Sequence, residues 1–180
     1  LGSARVSNLE AQGFEIARSG RSFVGGMTLI AGAISPVADL PTTTAPMVLY
    51  NSASSSDTPP KHLVVKRLSF SYSTSGTLGA YGSSIFAGVT PSVLATALVA
   101  NGATNFRTQA TRGSGTPKGF VDVAKTIVQP TWMLLGGIYH GAETTMSIGY
   151  TVDVSNHPFI IRPGFALAFG VLAAIDSAGA

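Results

Sequence analysis

His140 and Glu143 are the residues whose types and spacing come closest to a catalytic or metal-binding pattern. They lie in the glycine-flanked segment GGIYHGAETTMSIG, Gly136–Gly149. An imidazole and a carboxylate suit a transition metal, but a stable site needs three or four protein ligands. The other histidines, His62 and His157, lie elsewhere in the sequence and are never paired two residues apart. We therefore predict that the protein binds no metal and no other cofactor.

The same segment is similar to part of the metal-binding motif of cupins, a family of jelly-roll proteins. The cupin pattern has a second histidine two residues after the first, and Ala142 stands at that position here. A cupin-like enzyme is therefore the least favoured of the functions that we consider, and we expect no catalytic residue.

Two other reactive patterns are missing from the sequence. No Gly-x-Ser-x-Gly elbow marks a nucleophilic serine. The loop GSGTPKG, Gly113–Gly119, lacks the Gly-Lys-Ser/Thr ending of a phosphate loop. Arg107, Arg112 and Lys118 cluster near this loop, which makes them candidate contacts for nucleic acid or for a neighbour's acidic rim. A solvated loop is the favoured interpretation.

Trp132 is the aromatic residue that we single out as a candidate ligand contact. It follows Pro130-Thr131 at the predicted start of a strand, where an exposed indole would suit a sugar ring. Packing of this ring in the core is the favoured alternative.

Composition limits the classes of protein to consider. The 180 residues suffice for one domain with a core, or for one domain and an arm. Only 11% of them are charged and 45% are hydrophobic, which excludes a disordered body. The net charge of +3 is scattered without a Lys/Arg run, so nucleic acid is not indicated as a partner. The absence of cysteine excludes a disulfide framework.

Hydropathy predicts no contact with a membrane. The longest uncharged apolar run, Pro163–Ile175, is shorter than the roughly 18 residues of a spanning helix. Charged residues between Arg5 and Arg18 interrupt any apolar signal segment, so we expect a soluble chain without a signal peptide.

Alternation of apolar and polar residues predicts an all-β protein. In Thr145–Val154 the apolar residues fall on one parity, as in a half-buried strand. In HLVVKRLSFSYST, Val64, Leu68, Phe70 and Tyr72 are predicted to share one face. Less regular strands are predicted at Met27–Ile34, Met47–Tyr50, Ser84–Val89, Phe106–Ala110, Val123–Val128 and Trp132–Tyr139. Clusters of Pro, Gly, Ser and Thr separate them, which indicates a sandwich or a barrel.

One segment, TPSVLATALVANG, favours a short helix. Thr90 is a suitable N-cap, Pro91 suits the first helical position, and Gly102 suits the end. The competing interpretation is a hairpin that turns at Asn101-Gly102.

The stretch after Arg162-Pro163-Gly164 predicts a strand that is apolar on both faces. From Phe165 onward the odd positions are bulky until Ala173, and the even positions include Ala166, Ala168 and Gly170. The bulky face is predicted to point to the core. The small face would be covered by the chain's own helix or arm, or by a neighbouring subunit, so Ala166, Ala168 and Gly170 are candidate interface residues.

Residues 1–25 differ from the remainder, which we predict to be a single β-domain over 26–180. They contain three of the seven arginines, and Gly13 and Gly20 would break a helix. We interpret this segment as an arm that orders against a neighbour, with Phe14, Ile16 and Phe23 as interface candidates. An edge strand with a loose leader is the alternative.

The whole pattern resembles the jelly-roll structural proteins of viruses, including bacteriophage head, decoration and fibre proteins. The segments that carry the resemblance are LSFSYSTSGT (Leu68–Thr77), QPTWMLLGG (Gln129–Gly137) and IIRPGFALAF (Ile160–Phe169). The resemblance implies an antiparallel jelly-roll sandwich, an N-terminal arm that reaches neighbours, and assembly around symmetry axes.

These expectations lead to two functional hypotheses. The first is a non-enzymatic virion protein, a capsid or head-decoration subunit, that associates with its own copies and with other virion proteins. The second is a glycan- or receptor-binding β-sandwich module of a phage fibre.

Overall fold

A computed structural model describes residues 23–24, 37–74, 81–91, 101–102, 104–105, 119–140 and 146–172. All regular structure within these ranges is β, in twelve strands and without a helix. The strands are β1 (Phe23–Val24), β2 (Thr44–Asn51), β3 (Leu63–Val65), β4 (Arg67–Thr74), β5 (Tyr81–Thr90), β6 (Asn101–Gly102), β7 (Thr104–Asn105), β8 (Gly119–Thr126), β9 (Met133–His140), β10 (Met146–Asp153), β11 (Phe159–Ile161) and β12 (Ala166–Leu172). In these ranges no helix has the length and apolar character needed to span a membrane.

The largest sheet has six antiparallel strands in the order β6-β8-β2-β12-β5-β9. The C-terminal strand β12 lies inside it, between β2 and β5. This position explains why β12 is apolar on both faces, since a central strand that is covered on both sides has no face open to water.

A long two-stranded ribbon forms the second layer. Strands β3 and β4 run along one side of it and pair with β11 and β10 on the other side. The ladder is interrupted at Lys66, whose carbonyl accepts a hydrogen bond of 2.8 Å from the Val154 amide. This interruption shifts the alternation of faces, because an extra residue in one strand turns the following side chains over.

Two hydrophobic clusters lie on opposite faces of the six-stranded sheet. The first joins Leu167 and Phe169 of β12 to residues of the ribbon, including Val65, Leu68 and Ile161. The ring of Phe70 packs edge-on against Phe169 at a centroid distance of 6.1 Å. The second cluster lies on the far face and contains Ala45, Val48, Ile127, Ala166 and Ala168. The six-stranded sheet is therefore covered on one face by the ribbon and on the other by the loop segment 127–132.

The structure confirms the all-β class and most of the predicted strands, and it differs from the prediction in several places. The predicted strand Val123–Val128 begins earlier, as β8, and ends at Thr126. The short strand β11 was missed. Val64 does not share a face with Leu68, because the interruption at Lys66 turns Val65 inward and leaves Val64 51% exposed. The predicted strands Met27–Ile34 and Phe106–Ala110 lie outside the described residues.

The predicted helix lies mostly outside the described residues, which break off after Pro91 and resume at Asn101. Thr90, its predicted N-cap, is the last residue of β5, and Asn101–Gly102 form β6, paired with β8, rather than a hairpin turn. Of the predicted arm, only Phe23–Val24 are described, and they pair with Thr104–Asn105.

Candidate functional site: an exposed apolar pair with a basic rim

The histidines are not brought into a metal-binding group within the described ranges. His140 is the last residue of β9 and is the ladder partner of Tyr81, while Glu143 lies outside the described residues. His62 and His157 are exposed. Across the part of the chain that the structure describes, no three His, Cys, Asp or Glu side chains come together as metal ligands. The absence of a metal stays a prediction.

Trp132, the candidate ligand contact, is largely used for packing. Its indole N–H donates a hydrogen bond of 3.1 Å to the carbonyl of Pro41. Its ring stands edge-on to the buried ring of Phe86 at a centroid distance of 5.0 Å. The indole N–H and one side of the Trp132 ring therefore already have partners within the chain, as expected for core packing.

The small face of β12 is covered by the chain's own segment 127–132. Ala168 has no exposed surface, and a Cβ added at the neighbouring Gly88 would stand 2.8 Å from both Pro130 Cγ and Thr131 O. A Cβ added at Gly170 would stand 2.8 Å from Phe86 Cζ. Small residues are needed here because the crossing segment lies directly on the sheet. The cover was predicted to be a helix, an arm or a neighbouring subunit, but it is a loop of the same chain, which leaves Ala166, Ala168 and Gly170 buried in the monomer.

The remaining predicted site residues are described in part or not at all. Phe14, Ile16, Arg107, Arg112 and Lys118 lie outside the described residues. Phe23 lies in β1, with Asn105 as its ladder partner.

The ribbon carries an apolar pair that faces away from the core. Val64 of β3 and Ile160 of β11 are direct cross-strand partners, and they are 51% and 56% exposed. Their chain neighbours Val65, Phe159 and Ile161 are buried, because successive side chains of a strand point to opposite faces. Cross-strand partners bring their Cβ atoms within about 5 Å, so the two side chains form one continuous apolar surface.

Basic residues border this apolar pair at both ends. The outward positions of β3 and its extension are His62, Val64 and Lys66, and those beside β11 are Pro158, Ile160 and Arg162. His62, Lys66 and Arg162 are all exposed, and Pro158 is half-buried. We call these six residues the ribbon patch.

Two of the cations in the ribbon patch have no acidic partner among the described residues. The nearby Arg67 pairs with Asp153 at 3.3 Å, its cross-strand partner. Hydrogen bonds from the hydroxyl and amide of Ser155, followed by the one from Arg67, lower the pKa of Asp153. Asp153 is thus committed to Ser155 and Arg67, whereas neither Lys66 nor Arg162 forms an ion pair within the described ranges.

Three other large apolar residues are exposed, near the start of β9. Met133 and Leu134 are 47% and 62% exposed, and Val128 is 54% exposed in the segment before β9. Strand β9 is the terminal strand of the six-stranded sheet as described. Exposed apolar residues on a terminal strand are typical of surfaces that associate.

Sequence reasoning missed the ribbon patch for an identifiable reason. The alternation in HLVVKRLSFSYST was extended without a break through Lys66, which placed Val64 inward. The signal that would have found the correct face is the Lys66-Arg67 pair, since two consecutive charged residues cannot both follow an alternation that buries one face.

No protein-family model matches this chain, and no curated protein and no solved structure matches it.

Proposed function

We propose that this chain is a non-enzymatic structural subunit of a virion, of the capsid or head-decoration type, that self-assembles through exposed apolar surfaces and its N-terminal segment. Its partners are copies of itself and other virion proteins. The observation that carries the proposal is the set of half-exposed large apolar side chains on two separate surfaces, the ribbon patch and the start of β9.

The strand pairing supports a jelly-roll fold for the subunit. Four antiparallel ladders are nested one inside the next along the chain: β2 with β12, then β3 and β4 with β11 and β10, then β5 with β9, then β6 with β8. The chain is thus one long hairpin wound on itself, which is the basis of jelly-roll architecture. Such folds recur in viral capsid proteins, although a fold alone does not determine a function.

The innermost ladder differs from the simplest jelly roll of two equal sheets. Strand β8 pairs with β2, so the fourth ladder extends the six-stranded sheet on the side of β2 instead of widening the ribbon. The ribbon consequently has two strands in the described residues, and its outer face carries the apolar pair.

Exposed apolar surfaces favour assembly because they are costly in an isolated subunit. Burying a Val or Ile side chain contributes about 1.5 to 3 kcal/mol when it is fully removed from water. Val64, Ile160, Met133 and Leu134 each retain close to half or more of their exposure in the monomer. Association of several copies would bury them, and multiple weak contacts of this kind sum to a stable shell.

The glycan-binding alternative is less well supported, because Trp132, its main candidate contact, is used for packing. Trp132 is held by Pro41 and Phe86, so it does not offer a free aromatic platform. A fibre module of this kind would form discrete trimers instead of large assemblies.

Particle size measured on the purified full chain tests the proposal. We expect large closed particles, alone or with a co-purified virion protein, in light scattering and in negative-stain micrographs. Discrete trimers that bind glycans would favour the fibre module. A monodisperse monomer at millimolar concentration, with no association partner from the same virion, would contradict the proposal.

A further inference from the structure

We infer that the ribbon patch binds the N-terminal segment Leu9–Ile16 of a second copy of this chain. This inference rests on the proposed self-assembly and names the surface and the segment that would meet.

The ribbon patch is complementary to a partner that presents apolar side chains together with an acidic one. Val64 and Ile160 form its centre, and Lys66 and Arg162 lie two residues from them in opposite directions along antiparallel strands. The two cations are therefore separated by about four residues of strand, or roughly 13 Å. Neither has an acidic partner in the described part of its own chain.

Repulsion between the basic residues disfavours the simplest partner, which is the ribbon patch of another copy. Two ribbon patches placed face to face would bring Lys66 and Arg162 of one copy close to the same residues of the other. Like charges at an interface are unfavourable, so the patch selects a segment of opposite charge.

The acidic residues of the chain narrow the choice. Asp57, Asp122 and Asp153 already pair with basic side chains of their own chain. The segment LEAQGFEI, Leu9–Ile16, contains two of the three glutamates in the sequence, Glu10 and Glu15, and no basic residue. Glu10, Phe14 and Ile16 have the same parity, so an extended backbone would place these three side chains on one face and Glu15 on the opposite face. One face of this segment therefore combines an apolar pair with a carboxylate, which complements the apolar pair and a cation of the ribbon patch.

A charge exchange in the full-length protein tests the electrostatic part of the inference. Lys66→Glu with Arg162→Glu is expected to weaken association roughly fivefold, as is Glu10→Lys, because each replaces an ion pair of ordinary surface strength by a like-charge contact. Combining all three substitutions is expected to restore association, measured by sedimentation. Lys66 and Arg162 are exposed, and an unchanged unfolding transition verifies that the fold of each variant is intact. Failure of the combined variant to recover, with the fold intact, would overturn the inference.

Single-cysteine variants test the contact itself, since the chain has no native cysteine. Ile16→Cys and an affinity-tagged Ile160→Cys are mixed and mildly oxidised, and the yield of disulfide-linked heterodimer is measured on a non-reducing gel. Ser55→Cys is the control, because Ser55 is also exposed and lies outside both apolar surfaces. We expect at least a fivefold higher yield with Ile160→Cys, on the order of the enrichment that a specific contact gives over random encounter. Equal yields would overturn the inference. So would a variant with both Ile16→Cys and Ile160→Cys in one chain if it formed only an intramolecular disulfide.

The two tests separate this inference from the proposed function. Large particles that form without the heterodimer, and that are indifferent to the charge exchange, leave the proposed function in place and overturn the contact. If the heterodimer forms and the combined charge exchange restores association, but no large particles form, the contact is supported and the proposed virion function is contradicted.

Discussion

The side-chain amide of Asn51 donates a hydrogen bond of 2.9 Å to the carbonyl of Ile161, and so joins the end of β2 to the end of β11 in the interior of the protein. The same amide donates to the carbonyl of Lys61 at 2.8 Å, and its oxygen accepts from the amide of Ala53 at 3.0 Å. Asn51 has no exposed surface. One side chain therefore satisfies three backbone groups from three segments of the chain.

Asn51→Leu is expected to lower the free energy of unfolding by about 2 to 4 kcal/mol. The reason is that a buried amide and buried carbonyls lose their partners, at a cost of about 1 to 3 kcal/mol for each group that water cannot reach. Urea denaturation followed by circular dichroism measures the loss. Asn156→Ala, at an exposed position, is the control and is expected to change stability by less than about 0.5 kcal/mol. A similar small change in Asn51→Leu would show that these bonds do not hold the fold together.

Trp132→Phe is expected to cost about 1 to 2 kcal/mol of stability. This substitution removes the hydrogen bond to Pro41 but keeps an aromatic ring against Phe86. Trp132→Ala is expected to cost more, about 2 to 4 kcal/mol, because it also removes the ring. Trp132 is the only tryptophan, so its intrinsic fluorescence reports its packing directly. Quenching or a spectral shift on addition of glycans, with no change in stability, would instead support a ligand-binding role.

Ala168→Glu is expected to abolish cooperative folding of the single chain instead of only blocking its association. Ala168 is fully buried beneath the segment 127–132, and an unpaired carboxylate placed there costs several kcal/mol. Thr126→Glu, on an exposed position of β8, is the control. Denaturation at a concentration where the chain is monomeric distinguishes the two effects. An unchanged unfolding midpoint with lost association would show that the small face of β12 meets a neighbouring subunit after all.

The sequence was sufficient to predict the long strands in which apolar and polar residues alternate. Strands β4 and β10 pair along their full length, from Arg67 with Asp153 to Thr74 with Met146, and both show the alternation that predicted them. The double apolar character of β12 correctly predicted cover on both faces. In each of these strands the local pattern and the tertiary environment impose the same period.

The sequence could not reveal which part of the chain provides that cover, since a long-range crossing leaves no local period. The segment 127–132 was interpreted partly as a strand, yet it crosses the face of β12 and is held there by Trp132 and by the Thr90 hydroxyl, which donates to the carbonyl of Val128 at 2.8 Å. The outward face of the ribbon was missed because the interruption at Lys66 reverses which positions of β3 face the core, relative to the alternation in β4.

Ala124→Gly is expected to stabilise the protein by up to about 1 kcal/mol. Ala124 has a φ angle of 51°, in the left-handed region, which costs an L-residue about 1 to 2 kcal/mol and costs glycine little. This conformation belongs to an irregularity opposite Pro46, since the ladder between β2 and β8 pairs Ala45 with Lys125 and Met47 with Val123 but leaves the residues between them unpaired. Because glycine also loses more backbone entropy on folding, the net gain is smaller than the relieved strain. Urea denaturation of Ala124→Gly beside Thr126→Gly, an exposed strand position without a positive φ, isolates the conformational effect: the first is expected to raise the unfolding midpoint and the second to lower it. Equal losses of stability in both variants would show that the left-handed conformation at Ala124 carries no strain.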